Sequence, residues 1–342
     1  MDLTRSPEHE DLAATVRRIA TAGDPVARAR AALDDGPEVD LEAWTRLVAL
    51  GVLEEGGLRD LVAVAEELGR ALTCVPFHTV ATAAAVLGAA PADGAIATLT
   101  WLPGRRGAVP TCTADADWVL RGTAGFVPFG AEAQLLLVPV TTPRGVGVAA
   151  VDVSTVDTST VERAPLRTLD ATRPQARIRF TGAPATPLVE PDATGVLAAA
   201  LDRAGVLLAA EQLGTAQAAL EAAVEYAGHR VQFGRPIGSF QAVKHLCADM
   251  LIGVESLRSA VRAAAWAADA ASPDAPLLAS LAQTVAADVV VAVADAAQHV
   301  HGGIGFTWEH PAHLVVRRCL ADAAALGGRA DHRLRLADRA GL

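Results

Sequence analysis

The chain's only tyrosine, Tyr226, and its only lysine, Lys244, fall within one stretch, Glu225–Met250, which reads EYAGHRVQFGRPIGSFQAVKHLCADM. Apolar helical patterns run into it near His229 and out of it near Ser239. Between them stand Gly234, Pro236 and Gly238, which break a helix because proline lacks a backbone donor and glycine favours turns. The break displays Arg230, Gln232, Phe233 and Arg235. Two guanidiniums, an amide and an aromatic ring beside accessible backbone suit an anionic ligand that also carries a flat ring, such as a nucleotide pyrophosphate. The same residues also suit a helix–helix corner with Phe233 in the core and the arginines solvated, and this stretch alone leaves both readings open.

A second break points the same way. Gln298–Pro311 reads QHVHGGIGFTWEHP, where Gly302, Gly303 and Gly305 end another apolar helical run and let a ligand approach the backbone. His301 and His310 flank this loop, but their spacing across it matches no common ligand pattern, so no metal site is expected.

Taken together, the two stretches resemble the acyl-CoA dehydrogenase family, flavoproteins that desaturate acyl-CoA thioesters at the α and β carbons. RVQFGRPIGSFQAVKH resembles the family's R-x-Q-F-G-[RK]-x-[IL]-x-x-[FH]-Q segment, and HVHGGIGFTWEHP resembles its Q-x-x-G-G-x-G-[FY] segment. The resemblance implies FAD, with Arg230 on the pyrophosphate, Gln232 and Phe233 flanking the adenosine, and Gln241 reaching the same ligand. Gly302 and Gly303 would bring backbone N–H groups to the phosphates. The family's glutamine before the glycines falls on His299, with Gln298 displaced by one position; either His299 substitutes as a donor or that contact is lost.

Other parts of the family pattern are missing. Where the family carries T-E-P-x-x-G-S-D, which holds the flavin ring and thioester, this chain reads ATLTWLPGRRGAVP, leaving Thr98 or Thr100 to keep part of the role. The flavin-covering W-I-[ST]-[NG] segment is replaced by Val127-Pro128-Phe129-Gly130. Removing the α proton needs a carboxylate in a dry cleft, where its pKa rises towards the operating pH. The two positions at which the resemblance implies that base hold Leu326 and Ala204, and neither can take a proton. Glu211, Asp202 and Glu309 are the carboxylates left as candidates, each also readable as a helix-face or capping acid.

The elements that must position these residues are α+β in arrangement, in the manner of the family. Residues 1–93 read as helices, with apolar positions recurring at Leu12, Val16 and Ile19, a start at Ser6 and a split at Gly56-Gly57. Glu66-Glu67-Leu68-Gly69-Arg70 reads as a helix end capped by Gly69. Residues 94–188 alternate short β-rich runs with Gly, Pro and Thr turns, which suggests a small antiparallel barrel or sandwich. Residues 189–342 return to long helical runs, about 196–229, 239–272, 277–301 and 309–325, expected to form a four-helix antiparallel bundle that in the family is the oligomer interface.

Composition narrows the partners. A formal net charge of -10 argues against nucleic acid, and 51% hydrophobic residues can build substantial cores. The four cysteines make no C-x-x-C pair and fit a reduced cytoplasm; the start, MDLTRSPEHEDL, is no signal pattern, and no membrane partner is expected. The resemblance implies a division of labour, because in the family the arginine and glycine motifs hold the adenosine end of the FAD of the neighbouring subunit. The expected protein is the shorter subunit of a heteromeric α2β2 acyl-CoA dehydrogenase, sharing FAD with a longer catalytic partner and acting on a bulky or steroid side-chain acyl-CoA. A self-sufficient homo-oligomer with a relocated carboxylate and a scaffold without nucleotide are the alternatives.

Overall fold

The computed structural model describes residues 3–105 and 107–342. Helices occupy the amino-terminal part as the spacing predicts: α1 (Pro7–Ala20), α2 (Pro25–Asp35), α3 (Leu41–Val48), α4 (Val52–Glu55), α5 (Leu58–Arg70) and α6 (Phe77–Leu87). Ser6 caps α1, its hydroxyl accepting the His9 N–H. α5 starts after Gly56-Gly57, and its first N–H groups, from Leu58 and Arg59, donate to the Asp269 carboxylate at 2.6 and 3.0 Å. A carboxylate there satisfies donors that have no partner within the helix and complements its dipole.

Eight strands follow: β1 (Ala97–Leu99), β2 (Cys112–Ala114), β3 (Val119–Pro128), β4 (Leu135–Thr142), β5 (Gly145–Asp152), β6 (Val161–Leu166), β7 (Gln175–Pro184) and β8 (Thr186–Val189). They form one sheet in the order β6-β7-β3-β2-β4-β5-β8, with β1 also beside β4. The pairing is antiparallel, as expected, except that β1 and β2 both run parallel to β4, against Leu135–Leu137 and Val140–Thr141. Apolar alternation reports the faces of a strand and not its direction. Pro103, Gly104, Gly107 and Pro110 interrupt what would otherwise be one strand along that edge of β4. β6 and β8 form the sheet's two edges, where Pro165 and Pro187 are tolerated. α6 packs on β1, and Ala83, Val86, Leu99, Leu137 and Val148 share a core with Leu197.

The remainder is α7 (Thr194–His229), a short hairpin of β9 (Val231–Gln232) and β10 (Arg235–Pro236), then α8 (Gln241–Asp269), α9 (Ala275–His301), α10 (Ala312–Ala324) and α11 (Arg329–Ala340). α9 packs against α8, α10 and α11. It is long and apolar enough to cross a bilayer by length and composition, and packing on three helices accounts for that character. α11 was not legible, since RADHRLRLADRA buries only His332 and lacks an apolar period.

Packing groups the chain differently from the sequence-based division at 93 and 188. One unit comprises Met1–Asp34, Gly57–Thr73 and Gly205–Leu342; the other comprises Asp35–Gly56 and Cys74–Ala204. α1 and α5 thus join the carboxy-terminal helices, and α3, α4 and α6 join the sheet.

Gly69 is not a cap. α5 continues to Arg70 with Ala71 as its C-cap, and a side chain at Gly69 would strike the Glu211 backbone carbonyl of α7. Gly214 of α7 is constrained in return by the Glu66 carbonyl. Glu66 and Glu67 lie buried beside this crossing. Arg17 forks onto Glu67 at 2.8 Å through both nitrogens, and Arg5 and Arg258 meet Glu66 at 2.7 and 3.0 Å. Because backbone blocks the added Cβ, Gly69→Ala should cost about 2 kcal/mol or more of stability. An unchanged thermal unfolding midpoint would show that the two helices can part freely.

Candidate functional site

α7 ends at His229 and the chain reverses through a tight hairpin. Gln232 pairs with Arg235, leaving Phe233 and Gly234 as the turn, with φ of 54° and 77°. Two positive φ values make a type I′ turn, which favours glycine or asparagine. Phe233 is therefore strained by roughly 1 kcal/mol. It is also 91% exposed, so the reading that tucks Phe233 into the core is wrong. Its ring meets Phe240 edge-on at 6.0 Å, and the Arg235 guanidinium lies 4.1 Å over the face of Phe240.

Among the described residues, the Arg230 side chain has no hydrogen-bond or ion-pair partner. Gln232 donates to the neighbouring Val231 carbonyl, and Gln241 opens α8 in an exposed position. No residue from Gly228 to Asp249 is buried. The corner and the first turns of α8 therefore stand clear of the core.

The glycine loop begins where α9 ends. Gly302 adopts φ 62° and ψ −143°, a conformation open to glycine. Gln298 turns inward and donates to the Gly305 carbonyl at 2.9 Å, so it serves the loop itself. His299 is largely exposed, with Nδ1 2.9 Å from the Asp295 carbonyl. That nitrogen must carry the proton, so a neutral His299 offers only an acceptor at Nε2, and outward donation requires the imidazolium.

The structure brings corner and loop to the same end of the bundle. The Tyr226 ring lies 4.8 Å from His301, which lies 4.4 Å from His310. The two histidine rings are tilted by 50° to one another.

A sequence profile described as "Acyl-CoA dehydrogenase, C-terminal domain" matches residues 194–341, which contain both motifs. Acyl-CoA dehydrogenase IpdE2 of Mycobacterium tuberculosis is 32% identical over 337 residues, covering 95% of this chain and 94% of its own. The chain belongs to the acyl-CoA dehydrogenase family. Members are FAD-dependent oxidoreductases. Among solved structures, the ChsE4-ChsE5 complex from Mycobacterium tuberculosis superposes with a TM-score of 0.88 at 28% identity, covering 100% of this chain and 99% of that one. A variant of the Tcur3481-Tcur3483 steroid ACAD gives 0.86 at 30% identity, covering 98% of each.

At the positions where the acyl-CoA dehydrogenase motifs imply a base, the structure shows other groups. Ala204 is fully buried, and its carbonyl accepts a hydrogen bond from the His78 ring at 2.9 Å. Leu326 sits in a turn at φ 54°, and its carbonyl accepts from Arg335 at 3.1 Å. Arg335 also donates to Gln283 at 2.6 Å, and the Gln283 amide fills the space that a side chain at Gly205 would need. A guanidinium thus stands beside the turn that would carry the base.

The substitute carboxylates fare no better. Glu211 is buried with Arg318 at 3.9 Å, while Arg318 also lies 3.5 Å from Asp322. Glu309 is exposed, and hydrogen bonds from its own backbone N–H and from the Thr307 hydroxyl hold its carboxyl below the usual range, the opposite of a poised base. Asp202 is half-buried.

One exposed aromatic residue of the sheet lies outside the segments that the sequence motifs marked. Val127 and Phe129 face the core, whereas the preceding residue, Phe126, sits at a bulge of β3 with φ 57° and is 72% exposed. Gly125-Phe126 interrupts the in-out alternation of Leu120, Gly122 and Ala124, which was the available signal. Nearby, the Thr98 hydroxyl donates to the Pro128 carbonyl, and the buried Thr100 hydroxyl has no partner.

The turn of Leu326 depends on a titratable neighbour. His332 is 3% exposed and its Nδ1 lies 2.6 Å from Arg335; burial first, then the Arg335 charge, push its pKa down to about 4. Its ordinary value is 6.5. Between those values the unfolded chain binds a proton that the folded chain refuses. Stability is therefore complete above about pH 6.5 and declines, by on the order of 3 kcal/mol, as pH falls towards 4. Thermal midpoints at neutral and acid pH should differ less in His332→Leu than in the wild type; an equal difference would assign the acid sensitivity to other groups.

Proposed function

We propose that this chain completes the FAD site of a longer catalytic subunit in a heteromeric acyl-CoA dehydrogenase. The observation that carries this reading is the contrast within the chain itself. Its arginine corner and glycine loop are intact and displayed, while both base positions are apolar and one adjoins Arg335. FAD, when bound, accepts the hydride from the β carbon. Residues of this chain would bind and orient it: Arg230 would pair with the pyrophosphate, Gln232 and Phe233 would flank the adenosine, and Gln241, His299, Gly302 and Gly303 would complete the site.

The residues present fit such a ligand. Arg230 has no internal partner, Arg235 is held by a ring instead of a carboxylate, and Phe233 is both strained and exposed. Strain of that kind persists where a ligand or partner uses it. An arm from Gly228 to Asp249 without one buried residue is suited to reach a neighbouring subunit. Likeness to the ChsE4-ChsE5 complex supports a second, different chain, and likeness to a steroid ACAD supports a bulky steroid-type acyl-CoA. Against a self-sufficient homo-oligomer, Glu211 lies beside Arg318 and Glu309 is exposed with its carboxyl held below the usual range, and a bare scaffold leaves Phe233 unexplained.

Purified alone, the chain should be colourless; purified with its catalytic partner, it should give a yellow complex holding one flavin for each pair of unlike chains. Arg230→Ala in that complex should weaken FAD about 10- to 100-fold, the worth of one charge-assisted contact. A yellow lone chain that turns over acyl-CoA would overturn the proposal.

A further inference from the structure

We infer that Tyr226, His301 and His310 are positioning residues, a cluster of three rings in tilted contact that sets the spacing between the arginine corner and the glycine loop so that both reach one ligand. The inference rests on the reading that these motifs hold FAD. Tyr226 lies one helical turn before Arg230, whose N–H donates to the Tyr226 carbonyl at 2.8 Å. His301 immediately precedes Gly302. Displacing either ring therefore displaces a ligand-facing group directly.

His301 is 7% exposed, and its Nδ1 bonds the Ala297 carbonyl at 2.7 Å, which fixes the ring plane against rotation. Tyr226 packs on it at 4.8 Å with a 34° tilt and His310 at 4.4 Å with a 50° tilt. His310 in turn accepts the Ala312 N–H at 3.2 Å, which ties the far side of the loop to the start of α10.

His310 is the member of the cluster whose surroundings disfavour a charge. Beside the cluster lie His313 of α10, which bears on His310, and Arg30 of α2, which donates to the Glu309 carbonyl at 2.8 Å next to His310. The carboxylates of the adjoining segments, Glu225, Asp295 and Glu309, are exposed. Neither His301 nor His310 has a carboxylate within ion-pair distance among the described residues. Burial, then the neighbouring imidazoles, hold His310 below the ordinary histidine range. A proton added to His310 would meet neighbouring rings with no carboxylate in ion-pair reach to balance it, so acid should separate the rings and release the ligand.

The test uses the complex with the catalytic partner and measures retained FAD after gel filtration from about pH 8 down to about pH 5, below the ordinary histidine value. Wild type should retain FAD at neutral pH and lose it in acid. Tyr226→Leu should bind FAD about tenfold more weakly at neutral pH, with Tyr226→Phe restoring it, as the loss of a ring contact predicts. The double variant His301→Phe with His310→Phe, which keeps rings and removes the protons, should hold FAD at neutral pH and shift its release to lower pH. Wild-type affinity in Tyr226→Leu, or an unshifted acid profile in the double variant, would overturn the inference; the double variant decides alone if Tyr226→Leu does not fold. Full FAD retention in Arg230→Ala would instead defeat the underlying reading.

Discussion

The crossing of α5 and α7 is the constraint on which the carboxy-terminal helices depend. Gly69 and Gly214 face opposing backbone carbonyls, and the Thr215 hydroxyl donates to the Gly69 carbonyl at 2.9 Å. Backbone this close leaves α7 little freedom to slide or rotate. The buried Glu66 and Glu67, each answered by arginines, fix the same junction electrostatically. With its middle held, α7 can present its final residues, Gly228 and His229, then the hairpin and the first turns of α8, with no residue buried from Gly228 to Asp249. A displayed arm needs a rigid root.

The two units each expose one phenylalanine in the left-handed region, Phe233 at the hairpin turn and Phe126 at the β3 bulge. Each combines backbone strain with an apolar side chain in water, two costs that a solvated surface would not retain. Both positions adjoin segments that the family uses for its flavin. The strain is most simply read as pre-organisation for contacts made by a ligand or a second chain.

Much of this was legible. The arginine and glycine motifs marked the corner and the loop because proline and glycine break helices whatever their surroundings, and the apolar spacing marked all four long helices after the sheet. What escaped notice depended on tertiary context. Gly69 looked like a cap because glycine near a helix end usually is one, and only the proximity of Glu211 shows that it serves a crossing. β1 and β2 gave no hint of direction, since alternation is the same either way. α11 hid its role because its contributions are polar: Arg335 holds the Leu326 turn and Gln283, and His332 is the one side chain it buries. Phe126 carries no mark because the motif comparison falls on the next four residues, of which Val127, Phe129 and Gly130 are buried.

The missing base is more than one absent carboxylate. Dehydrogenation needs an acid whose pKa is raised by a dry, uncharged setting. Beside Leu326 this chain places the Arg335 guanidinium, itself bonded to Gln283 and to the Leu326 carbonyl. A cation at that range favours the ionised form of any nearby carboxylate and so lowers its pKa. A glutamate restored at this turn would be drawn into an ion pair and made a weaker base than the reaction requires. The position and its surroundings thus agree, and both disfavour a base at this turn. Arg230 and Phe233, by contrast, still stand exposed and without charged partners, as residues in use for a shared cofactor would.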